Sequence, residues 1–241
     1  MTVDVLPVEL CEQVAWGCRI LAMHGHEDVT LGHLSARGPA DTALIKRNGL
    51  GLSEVRPSDV LAIDMDRRKV AGEGEVHLEA VLHAEVYKAR PDVGAVIHAH
   101  PLYTTALAAT AGRLEMLSHD AVLFKDGLPL FDETCELITT PEQGRAVARV
   151  LGPHRAVLLR NHGVLVVGAD VPSAVYTALT LERAVQFQSI ASTLGELRPM
   201  PAEMADLLYP NKYRDDFVQG YWRYLIRQVR RQGLDDGMPG A

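Results

Sequence analysis

AVLLRNHGVLVV, residues Ala156 to Val167, consists of two apolar runs, Ala156–Leu159 and Val164–Val167, split by Arg160-Asn161-His162-Gly163. Short runs of this kind suit buried strands, and the four residues between them form a hairpin signature. Working outward, the pairing recurs. Leu34–Arg37 and Ala43–Lys46 are joined by the polar turn Gly38-Pro39-Ala40-Asp41, and Val60–Asp64 alternates as a further strand. Gly94-Ala-Val-Ile-His98 is another buried-strand run. Helical periodicity covers Val8–Met23 and Val76–Ala89, the latter ended by Arg90-Pro91-Asp92. Further helices are predicted from Pro101 to about Ala111, from the Thr140-Pro141-Glu142 cap to Gly152, over Val171 to about Leu194, and over Tyr213–Arg231. Strands that come in neighbouring pairs predict an α/β chain with a mixed or mainly antiparallel sheet flanked by helices, not a doubly wound parallel one. No repeat or linker divides residues 1–241, so one domain is expected, with its core at about 8–194 and a helical extension at about 200–235.

Composition narrows the partners. Twenty-four basic residues against 31 acidic ones leave a net charge of −7, which offers phosphate backbones and anionic lipids no concentrated positive field. No apolar run approaches the roughly 20 residues that span a bilayer. The stretch Met1–Leu10 carries Asp4 and Glu9 and lacks the basic-then-apolar order of a signal peptide, so a cytoplasmic location is expected. The three cysteines, Cys11, Cys18 and Cys135, are an odd number without C-x-x-C spacing, which suggests neither a disulfide framework nor a thiolate metal site.

The histidines carry the chemical signal. In Val96-Ile97-His98-Ala99-His100-Pro101, residues two apart on a strand project to the same side, so His98 and His100 can take two corners of a metal site. They can equally be two incidental histidines at a strand exit. His162, at the hairpin tip, is poised to reach an adjacent strand end or to cap the turn. Glu79 and His83 lie four residues apart on a predicted helix face, either as a surface pair or as a carboxylate beside a metal. Together the parts supply three nitrogen ligands and an acid/base group with open coordination positions, which is the composition of a catalytic metal site.

In their order and spacing, Gly32-His-Leu-Ser-Ala-Arg37, Asn48-Gly49, Glu79-x3-His83, Arg90-Pro-Asp92, His98-Ala-His100-Pro101, Asn161-His-Gly163 and Leu181-Glu182 resemble the class II aldolase/adducin family. The resemblance runs from Leu10 to about Leu194. It implies a three-layer fold with a helix-covered sheet and one divalent metal ion on His98, His100 and His162, with Glu79 as catalytic acid/base. Zn2+ is the first choice of metal, with Mn2+, Fe2+ or Co2+ also compatible. Homotetramers with active sites between neighbouring subunits are implied as well. His33, Ser35, Asn48, Gly49 and His77 are the expected substrate-binding positions.

Departures from the pattern choose the branch. Sugar-phosphate aldolases of this type have Gly-Asn where Gly32-His33 stands and Ser-Ser where His77-Leu78 stands, groups that hold the substrate phosphate. Here that cradle is dismantled, and imidazoles with Lys46 or Arg47 suit a small-molecule carboxylate substrate. His119, in Leu117-Ser-His-Asp120, falls where those aldolases put a proton-donating tyrosine; it is a candidate proton donor or a loop histidine bonded to Asp120. The expected function is a metal-dependent carbon–carbon lyase that decarboxylates a dihydroxy-aromatic (di)carboxylic acid such as a dihydroxyphthalate. The alternative is an aldolase for a non-phosphorylated hydroxy-keto acid or a sugar phosphate, and a remote one is a non-catalytic adducin-like module. Glu182 admits a structural or an active-site role.

Overall fold

The computed structural model describes residues 6–239, so Met1 to Val5, half of the stretch inspected for a targeting signal, lie outside the described residues. Among the described residues, eight strands form one sheet. They are β1 (His33–Arg37), β2 (Thr42–Lys46), β3 (Val60–Asp64), β4 (Lys69–Ala71), β5 (Ala95–Ala99), β6 (Leu130–Phe131), β7 (Ala156–Leu159) and β8 (Gly163–Gly168). Their order across the sheet is β4-β3-β2-β1-β5-β8-β7-β6. Every neighbouring pair is antiparallel except β6 with β7, so the sheet is mixed and mainly antiparallel, as the paired runs predict.

Alternation along the strands divides the apolar residues between two cores. Leu34, Leu44, Ile97, Val164 and Val166 face one side, packed by α1 (Val8–Met23), α5 (Val171–Leu194) and α7 (Asp215–Arg231). Ile45, Leu61, Val96, Leu165 and Val167 face the other, packed by α2 (Ala80–Ala89) and α4 (Pro141–Leu151). Helices α3 (Leu102–Ala108) and α6 (Ala202–Lys212) complete the set among the described residues. None is long and apolar enough to cross a membrane.

Three differences from the sequence reading have physical causes. The helix expected from Val76 begins at Ala80, because His77 to Glu79 form a turn in which the Ala80 N–H donates to the His77 carbonyl. The helix expected from Tyr213 begins at Asp215 and is preceded by the separate α6, which carries Pro210 in its last turn. The two-residue β6 and the largely exposed β4 are too short to show a period.

The site follows from register. His33 of β1 stands directly opposite His98 of β5, on the face covered by α2. The β7–β8 turn, with Asn161 at φ 53°, brings His162 to the same end of the sheet. Asparagine is among the few residues that enter this region readily.

Candidate metal centre

His98 is fully buried, and its Nδ1–H donates to the Val164 carbonyl at 3.1 Å. That bond fixes the tautomer and leaves the Nε2 lone pair facing outward. His100, one residue past the end of β5, places its Nε2 3.2 Å from that of His98. Two nitrogens about 2.1 Å from one cation in tetrahedral geometry stand about 3.4 Å apart, so the spacing suits shared coordination. The His162 ring stacks on His100 with centroids 5.4 Å apart and meets His98 edge-on at 4.9 Å. One nitrogen from each of the three rings falls within 4.8 Å of the other two. His100 Nδ1 is buried without a hydrogen bond among the described residues, with the Asp28 carboxylate 3.2 Å away. Burial, then the His98 and His162 rings, lowers the His100 pKa to about 4, keeping it in the neutral form that binds metals. These donors fit a divalent cation.

Glu79 stands at the cap position of α2. Its carboxylate oxygens lie 3.5 Å from His98 Nε2 and 3.6 Å from His162 Nε2, and Oε1 accepts the Ile138 N–H at 2.9 Å. Burial alone raises a carboxyl pKa; the adjoining His162 and His98 rings and the Ile138 N–H outweigh it, and Glu79 is held well below the usual carboxylate range. An ionised carboxylate in this place is a base. The predicted helix-face pair of Glu79 with His83 does not form. His83 turns from the cation site and bonds His33 and Ser35 inside the layer.

A cavity of about 700 Å³ opens over these groups, bordered by His33, Asn48 and His77. Three leucines stand at its edge, with Leu31 at 55%, Leu78 at 69% and Leu137 at 56% exposure. The His77 pKa is lowered to about 3 by burial and by Lys46, whose ammonium donates to His77 Nε2 at 3.2 Å. Lys46 is itself fully buried, which lowers its pKa to about 8.

Three expected positions do not face the cavity. Ser35 is wholly buried beneath His33, its hydroxyl engaged with His83 and Tyr87, so it supports the site without reaching a ligand. Gly49, at φ 84°, makes the turn that lets Asn48 Oδ1 accept its N–H, and it does not line the cavity. His119 is exposed outside the cavity of its own chain, and its carbonyl accepts the Tyr213 hydroxyl at 2.9 Å. Conversely, Asp28, Leu31, Thr105, Cys135 and Leu137 line the site although no motif marks them. Glu182 accepts the Tyr103 and Thr104 N–H groups and the Thr104 hydroxyl, a structural role at the start of α3.

Comparison with known proteins extends the picture. A family model described as Class II Aldolase and Adducin N-terminal domain matches residues 12–189. A 4-hydroxy-3-prenylphenylpyruvate oxygenase/4-hydroxy-3-prenylbenzoate synthase of Streptomyces roseochromogenus subsp. oscitans is 35% identical over 185 residues, 75% of this chain and 67% of that protein. A 3,4-dihydroxyphthalate decarboxylase of Arthrobacter keyseri is 30% identical over 234 residues, 90% of this chain and 93% of the relative. Among solved structures, an aldolase II superfamily protein from Pseudomonas syringae superposes with a TM-score of 0.85 at 29% identity, covering 96% of both chains.

Proposed function

The chain belongs to the class II aldolase and adducin family and is a carbon–carbon lyase, and we propose that it decarboxylates a dihydroxy-aromatic (di)carboxylic acid of the dihydroxyphthalate type with a divalent metal, Zn2+ first, on His98, His100 and His162. The observation that carries this reading is the cavity wall. Where a sugar-phosphate enzyme needs hydroxyls, Leu78 stands with Leu31 and Leu137, and an apolar wall of three leucines suits a flat ring better than a polyol phosphate. The dihydroxyphthalate decarboxylase relative, similar over nine tenths of both chains, supports the same branch.

The bound cation supplies Lewis-acid stabilisation of the negative charge that develops on the substrate's oxygens as the carboxylate departs. Glu79, ionised beside His98 and His162, is the base that accepts a phenolic proton in passing. Glu79 or His119 delivers a proton to the ring carbon, whose bond to the departing carboxylate then breaks to release CO2 and restore aromaticity. The imidazoles of His33 and His77 and the Asn48 amide hold the carboxylate that stays.

His119 reaches a substrate only from a second copy. It adjoins Asp120, which with Phe187, Ile190, Tyr221 and Tyr224 borders an open cavity of about 680 Å³ on the α5–α7 flank. This exposed apolar and aromatic flank supports a homotetramer with His119 delivered to the neighbour's cavity. Tyr221 and Tyr224 then belong to the subunit contact.

The direct test incubates zinc-loaded protein with 3,4-dihydroxyphthalate and follows CO2 and the monocarboxylate product. Aldehyde trapping with hydroxy-keto acids and sugar phosphates runs in parallel. Aldehyde without CO2 would make the protein an aldolase instead. For the shared site, Glu79→Gln and His119→Ala proteins, each expected to lose about 10²–10⁴-fold in kcat, should regain activity when unfolded together and reassembled as hybrids. Absence of recovery in hybrids would remove His119 from the neighbour's site.

A further inference from the structure

His33 borders the cavity and engages its other side in a buried chain of hydrogen bonds. Its Nδ1 lies 2.7 Å from His83 Nε2, His83 Nδ1 lies 2.6 Å from Ser35 Oγ, and Ser35 Oγ lies 2.8 Å from the Tyr87 hydroxyl. None of the four residues is more than 2% exposed. The geometry follows from two periods: His33 and Ser35 are two apart on β1, and His83 and Tyr87 are four apart on the α2 face that covers it.

The protons in this chain have one consistent order. Each contact in the chain needs a donor on one side and an acceptor on the other, and a neutral imidazole offers one N–H and one lone pair. Burial raises the Tyr87 phenol, which keeps its proton. The Ser35 oxygen, 2.8 Å away, is the hydrogen-bond partner of that hydroxyl among the described residues, and so the acceptor for its proton. Tyr87 therefore donates to Ser35, Ser35 donates to His83 Nδ1, and His83 donates from Nε2 to His33 Nδ1. The remaining proton of His33 sits on Nε2, a nitrogen with no hydrogen-bond partner among the described residues.

We propose that His83, Ser35 and Tyr87 are positioning residues that fix His33 as a neutral hydrogen-bond donor through Nε2, aimed at an anionic oxygen of the substrate beside Glu79 and His98. Ligand atoms of His33, Glu79 and His98 fall within 4.8 Å of one another, which sets that oxygen next to the cation site. Carboxylate and phenolate oxygens only accept, and so match a donor that cannot reverse. An alcohol, which must also place its own proton, matches less well. The substrate part rests on the decarboxylase reading; the proton order does not.

Neutron crystallography of the deuterated, zinc-loaded protein reads the order directly. Deuterium is expected on Nε2 of both His33 and His83; deuterium on His33 Nδ1 would overturn the proposal. In kinetics, His83→Leu removes the donor, and the KM for 3,4-dihydroxyphthalate should rise roughly tenfold with kcat within about twofold. His83→Gln, whose amide can still donate to His33 Nδ1, should recover most of that loss. An unchanged KM in a folded His83→Leu protein would end the positioning role. A protein that shows the expected deuterons yet decarboxylates nothing supports the proton order and removes the decarboxylase reading alone.

Discussion

Among single residues, the cation site depends on a glycine as much as on its imidazoles. A Cβ at Gly163 would lie 2.5 Å from His100 Cδ2 and 2.7 Å from the Ala99 carbonyl oxygen, far inside ordinary contact. Gly163 opens β8 beside the end of β5, and His100 packs against the bare backbone there. Within Asn161-His162-Gly163 each residue therefore contributes something different: the first the positive φ, the second the ring nitrogen, the third the space for the facing histidine. Gly163→Ala must push His100 away or spread the two strands. Overpacking of this kind costs about 1–3 kcal/mol of stability. Zinc affinity, measured by competition with a chelator, is expected to fall at least about tenfold, since a tenfold loss corresponds to only about 1.4 kcal/mol. Wild-type affinity in Gly163→Ala would show that His100 does not need its present place.

Between elements, Glu182 ties the His98 and His100 end of β5 to α5. Its carboxylate receives two backbone N–H groups and one hydroxyl at the start of α3, whose first residue follows His100-Pro101 at once. Glu182→Ala strands these donors. A loss of about 2–3 kcal/mol is expected by urea unfolding, together with weaker zinc binding, because α3 holds the exit of β5. An unaltered urea midpoint would contradict this account. Elements with strong local signals are legible in the sequence: α1 over Val8–Met23, and α5 from Val171 to about Leu194, capped by Asp170 accepting the Ser173 N–H. The start of α2 is not, because apolar periodicity continues through Val76 while His77 to Glu79 are diverted to the cavity. For the site, the H-x-H strand and the hairpin histidine are readable because period and turn chemistry are local. Spacing alone misplaces His83, because four residues put it on the Glu79 face of a helix that begins only after Glu79. Leu31 and Leu137 carry no pattern, and only the folded chain brings them to one mouth.

Across the whole molecule, the burial of uncharged histidines fixes the response to acid. His33, His77 and His83 are at most 7% exposed, and burial lowers all three, His77 to about 3 and the other two well below the ordinary value. In the unfolded chain each titrates near 6.5. Below that pH the unfolded state binds protons that the folded state refuses, so folding stability rises with pH across the window and is lost as pH falls. With His100, which burial lowers to about 4, four such groups give a limiting slope of about 5 kcal/mol per pH unit. Glu79, whose folded pKa is depressed, acts in the same direction at still lower pH. Against a typical stability of about 5–15 kcal/mol, metal-free protein is expected to be nearly indifferent between about pH 7.5 and 6.8 and to unfold between about pH 5 and pH 3. Urea midpoints taken at half-unit steps test the sign. Replacing His77 by Gln should flatten the acid limb by about one quarter, since one of the four excluded protons is removed. A midpoint that stays level down to about pH 4.5 would mean that these rings accept protons in place, and the neutral cluster on which both the cation site and the His33 proton order depend would have to be abandoned.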